Sequence, residues 1–147
     1  STSNTFYITG FQMEVGKVAT PFEHRSYGEE LALCQRYYWQ IGDGSSSDIV
    51  GIGANFGSTW AYFSGTFPTK MRAVPTGSVN NNTYFRCHNT AGSGITTNGF
   101  SAPSEISESQ YYVAFSGESS FTPGAGNLCF TGNANGDMGI IKFDAEL

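Results

Sequence analysis

The chain has 147 residues and a formal net charge of −5, long enough for one domain, or one domain with an N-terminal appendage, to bury a proper core. Its seven Lys and Arg are scattered, so no basic cluster exists to release counterions from phosphates, and a nucleic-acid partner is not expected. No apolar run approaches the ~20 residues that span a bilayer, so membrane insertion is not expected either.

Nineteen Gly, with abundant Ser, Thr and Asn, point to short strands joined by turns rather than to a helical bundle. Charged residues make up 13% and aromatics 15%. A free monomer normally carries more surface charge, so this chain has surface to hide, in a subunit interface or a sugar site. Cys34, Cys87 and Cys129 are odd in number and lack CxxC spacing. They read as buried free thiols rather than a disulfide framework or a zinc site.

The opening STSNTFYITG carries no signal peptide and reads as a cut inside a longer protein. Residues 5–14 alternate well enough for a strand, and 16–21 form a linker. That strand must pack on the domain that follows, pair with a neighbouring chain, or fray. Ser26-x-x-Glu29 is a capping box, which starts a helix. Behind it Tyr27, Leu31, Cys34 and Tyr38 fall at helical spacing and predict an apolar stripe docked on a sheet. The run Arg36 to Ile41 is aromatic and β-favouring, so the helix should be short and pass into a strand.

Residues 42–48 read as a loop, 49–57 as a short strand with glycines, and 58–67 as a stronger strand ended by Pro68. MRAVP at 71–75 reads as the start of the next strand, and 78–90 as another. In the latter, Tyr84, Arg86 and His88 share one face while Phe85 and Cys87 share the other. AGSGITTNG at 91–99 reads as a loop, and 100–110 as a connection with a helical turn near Ser104. Strands starting at Tyr111, Asn127 and Met138 complete the sheets. Turn signals every ~8–12 residues match the rhythm of a sandwich or jelly roll.

The segments GFQMEVGKVATPFEHRSYGEELALCQRYY at 10–38, KMRAVPT at 70–76 and the closing IIKFDAEL resemble the C-terminal region of bacteriophage tail-fibre and tailspike proteins. The resemblance implies that residues 1–21 end an upstream β module and a linker. Residues 22–147 would then form the C-terminal receptor-binding domain. It further implies a parallel homotrimer at the tip of a virion's fibre or spike, where the partner is a bacterial surface polysaccharide, lipopolysaccharide or capsule. The resulting fold expectation is an all-β antiparallel sandwich, jelly-roll-like, with one short N-terminal helix.

Candidate sites divide by chemistry. Glu29 and Glu30 sit in the first helical turn, where the dipole and the cap account for them. His24 and His88 have no nucleophile motif or HExxH beside them. Catalysis is therefore not expected, although related spikes often carry a depolymerase or esterase. A glycosidase pair would have to come from Asp43, Asp48, Glu105, Glu108 and Glu118. GNANGD at 132–137 has oxygen side chains at alternate positions but reads first as a turn. No metal or cofactor is expected. The candidate ligand-binding residues are Trp60, Tyr62, Tyr84, Arg86 and His88, two strand faces that combine rings with hydrogen-bond donors on one shared edge. Loops 44–48 and 89–98 would finish the contacts. Trp60 and Tyr62 read equally well as core or trimer-interface residues, and a ligand-free trimerisation cap is a third reading. Trp39 reads as core.

Overall fold

A computed structural model describes residues 7–45, 47–89, 94–101, 106–117 and 121–146. The chain runs from helix α1 (Tyr27–Gln35) into strand β1 (Tyr38–Ile41), then β2 (Ile49–Phe56), β3 (Trp60–Thr66) and β4 (Thr76–Val79). It continues through β5 (Arg86–Asn89), β6 (Gly94–Ser101), β7 (Gln110–Gly117), β8 (Gly126–Phe130) and β9 (Ile141–Asp144). The expected all-β, antiparallel character with one short helix is what is found.

The strands are arranged more tightly than the two-sheet expectation. Six of them close into a ring in the order β2-β3-β7-β6-β5-β8, with β8 pairing back onto β2. A separate three-strand sheet, β1-β9-β4, packs beside it. Closure leaves the six ring strands without a free edge. In the small sheet Trp39 and Ile41, Phe143 and Ile141, and Gly77 and Val79 lie at matched register and face one way. The Trp39 ring stacks on Phe143, with centroids 5.7 Å apart, and contacts Phe67 and Tyr111 where β3 leaves the ring and β7 enters it. Trp39 is half-buried and packs against the core rather than lying within it.

The ring is filled by Phe63, Phe85, Phe115, Val113, Cys87 and Cys129, all at most 1% exposed. Opposite them β2 presents Gly51 and Gly53, whose registers to Cys129 and Phe63 place them on the inner face. A methyl group on Gly53 would collide with the Tyr62 carbonyl oxygen and the Phe63 ring, so the glycine makes room for Phe63. Several polar groups inside are paired, whereas Asn127 Oδ1 has no partner among the described residues. The Tyr111 hydroxyl donates to the Val50 carbonyl at 2.8 Å, and the Asn55 amide donates to the Thr122 carbonyl at 2.7 Å.

Several local expectations give way. Helix α1 has its capping box, with the Glu29 N–H donating to Ser26 Oγ at 3.3 Å and the Ser26 N–H to Glu29 Oε2 at 2.8 Å. Donation from the Ser26 N–H, and then from the Ser26 hydroxyl, holds the Glu29 carboxyl below its ordinary pKa. Yet the helix buries no residue, and Tyr27, Leu31, Cys34 and Tyr38 are all exposed. Tyr38 already belongs to β1, which shortens the stripe. The half-buried helical positions are instead Ala32 and Gln35, and Gln35 accepts from the Thr69 hydroxyl. Cys34 is therefore a surface thiol, unlike Cys87 and Cys129.

Residues 7–14 form no strand, and 5 and 6 lie outside the described residues. Residues 71–75 also form none: Pro75 has no N–H to give a ladder, and β4 begins just after it. Of 78–90, Ser78 and Val79 end β4 and 86–89 form β5, with no strand between them. Residues 94–99, read as loop, belong to β6. The turn near Ser104 lies outside the described residues.

Candidate ligand-binding faces

Strand alternation sends Ala61 and Phe63 inward and leaves Trp60, Tyr62 and Ser64 on the outer wall of the ring. Tyr62 stacks against Tyr112 of β7, with ring centroids 5.2 Å apart and planes 15° from parallel. Phe56 of β2 meets Tyr62 edge-on at 5.5 Å and is 73% exposed. These rings and Ser64, with the β2 backbone at 53–55, line an open groove of about 360 Å³. Trp60 lies in the next row, paired with Phe56 and with Ser116. The β2 wall continues the apolar surface, for Ile52 is 74% exposed and sits opposite Leu128 of β8.

Arg86 and His88 are half-buried on the outer face of β5. Their strand lies diametrically across the ring from β3, with two strands intervening in either direction. The five candidate residues therefore do not share one edge, and both of their strands are paired on both sides. Tyr84 precedes β5 and packs against the core. On this far wall the His88 ring meets Phe130 edge-on at 5.2 Å. Desolvation, then the nearby Arg86 charge, pushes the His88 pKa below its ordinary value. Among the described residues neither Arg86 Nε nor His88 Nε2 has a hydrogen-bond partner, although both atoms are buried.

Several of the remaining candidates are committed elsewhere. Glu108 pairs with Lys70 at 2.7 Å, and Glu30 with Arg25 at 3.1 Å. Asp43 accepts from the Ser45 N–H and hydroxyl, each at 2.7 Å. Asn133 organises the 132–137 loop as a turn, accepting from the Asn135 and Asp137 N–H groups and donating to the Thr83 carbonyl at 2.9 Å. Among the described residues no group of three His, Cys, Asp or Glu is placed to hold a metal. Glu105 and Glu118 lie outside the described residues.

Phe56, Tyr112 and Phe130 were not singled out from sequence. Alternation in 49–56 does put Ile52, Ala54 and Phe56 on one face. Their meeting with Tyr62 and Tyr112 depends on pairings between distant segments, which no local pattern encodes. Comparison of the chain with protein-family models, with curated proteins and with solved structures finds no match.

Proposed function

We propose that this chain is the receptor-binding tip of a phage tail fibre or tailspike, a homotrimer that holds a bacterial surface glycan by contact alone. The ring and its companion sheet would be this chain's form of the family's terminal jelly-roll sandwich. The observation that carries the reading is the groove at Phe56, Tyr62 and Tyr112. Sugar rings present C–H faces that stack on aromatic rings, and the Ser64 hydroxyl beside them can bond a sugar hydroxyl. The long N-terminal motif supports the family assignment. Three such grooves on one particle would raise a weak single-site affinity by avidity.

A glycan array probed with the purified protein tests this reading. Binding to a defined set of bacterial polysaccharides, lost in Phe56→Ala and Tyr62→Ala variants that keep their fold, is the expected result. Truncating a stacking ring costs ~1–3 kcal/mol by analogy with bases stacked on aromatics, or about tenfold or more in affinity. The same exposed rings also suit the second reading, a ligand-free trimer seam. That reading wins if Phe56→Ala dissociates the particle.

A further inference from the structure

The six ring strands contain none of the chain's twelve acidic residues and only one of its seven Lys and Arg, which is Arg86. Among the described residues every other formal charge lies in the N-terminal arm (residues 7–25), the helix, the loops or the β1-β9-β4 sheet. A half-buried cation on an otherwise uncharged wall forfeits hydration, and such a charge is ordinarily balanced by a carboxylate. Arg86 has none. Its register partners are Thr96 on β6 and Phe130 on β8, and among the described residues it forms no ion pair.

The stem of this side chain is packed against β6. A methyl group on Gly94 would lie 3.0 Å from Arg86 Cγ and 3.2 Å from its Nε, and closer still to Cδ, so the glycine leaves space for the side-chain stem. Phe130 walls the neighbouring His88. Two buried nitrogens on the same face, Arg86 Nε and His88 Nε2, lack partners among the described residues. A planar guanidinium with its Nε unengaged presents the fork that accepts a carboxylate or phosphate in bidentate fashion. The imidazole two residues on can add one hydrogen bond.

We propose that Arg86 and His88 form an anion-binding subsite on the β5 wall, separate from the aromatic groove, which takes a carboxylate or phosphate group carried on the ligand. That the anion belongs to a glycan rests on the reading above; the subsite itself does not. The receptor would then be an acidic polysaccharide, either one built with uronic acids or one bearing phosphate.

Isotope-labelled protein titrated with sodium glucuronate, inorganic phosphate and glucose provides the test. The Arg86 Nε–H and His88 ring resonances should move saturably with one or both anions and stay still with glucose. Glucuronate alone being effective assigns a carboxylate, phosphate alone a phosphate ester. Arg86→Lys, which keeps the charge but loses the fork, should weaken the anion about tenfold, and Arg86→Gln should abolish the His88 response. Neither anion moving these resonances overturns the subsite, as does an unchanged response in Arg86→Gln; the wild-type titration decides if that variant does not fold. An array that shows no glycan binding while the anion shifts persist sinks the glycan reading alone. Neutral glycans bound at the groove without anion shifts sink only the subsite.

Discussion

At Gly53 one missing methyl group sets both the core and the groove. The Cβ that any other residue would bring meets the Tyr62 carbonyl and the Phe63 ring, and strand pairing holds both in place. Gly53→Ala should therefore destabilise the protein by about 1–3 kcal/mol in thermal or denaturant unfolding, as overpacking does in a well-filled core. It should also disturb Tyr62 and weaken any ligand held there. His88 supplies a second expectation with a defined sign. Because its folded pKa lies below the ordinary 6.5, the unfolded chain binds the proton more readily. The stability linked to its neutral form is present above 6.5 and is lost as pH falls through the lowered folded value. The depressed carboxyls Glu14 and Glu29 act only below their ordinary 4.5, so the windows separate. Unfolding midpoints measured across mildly acidic pH should fall in the wild type and fall less in His88→Gln. Equal slopes would show that some other group titrates there.

At the scale of elements, α1 is a nine-residue helix with no buried residue, below the length at which isolated helices hold together in water. Its cap and its covalent link to β1 must do most of the work. The Arg36 carbonyl accepts from Arg72 at 2.7 Å and the Tyr37 carbonyl from Ala145 at 2.8 Å, which fixes the strand side of that link. Ser26→Ala should accordingly cost about 1 kcal/mol of helix stability. Hydrogen exchange should register the loss as faster exchange over 27–35, while the melting of the ring stays where it was. A drop in the global melting temperature would mean that the helix is coupled to the core after all.

The same contrast explains what could be read from sequence. The capping box and the alternation in β2, β3, β7 and β8 are local patterns, and these elements were legible. β6 was not, because Thr, Asn and Gly in GITTNGFS look like turn composition. Ile95 and Thr97 are buried, the Thr97 N–H donates to the Phe85 carbonyl at 3.1 Å, and β5 and β7 supply its ladders. Pairing partners also decide the site. Trp60 and Tyr62 were correctly placed on one face, and so were Arg86 and His88. Only the order of strands around the ring shows that these two faces lie on opposite walls.

For the whole molecule, the question is what covers the apolar outer surface. Ile49, Ile52 and Phe56 on β2 are each at least 60% exposed, and Leu128 adjoins them across the β2–β8 pairing. The arm adds Phe11, Met13 and Val15, all exposed at alternate positions. Monomers rarely leave large apolar patches in water, and a specific subunit contact would bury about 1,000 Å² or more. On the proposed fibre-tip reading, sedimentation at micromolar concentration should return three times the 15.8 kDa of one chain. Ile52→Asp puts an unpaired charge at the centre of the β2 wall, so it should drive the particle to monomers if that wall is the seam. If the trimer survives Ile52→Asp and fails only when the arm is removed, the arm holds the subunits together and the β2 wall with its aromatic groove faces the receptor. A wild-type protein that sediments as a monomer at these concentrations removes the avidity on which tight glycan capture was argued, and with it the fibre-tip reading.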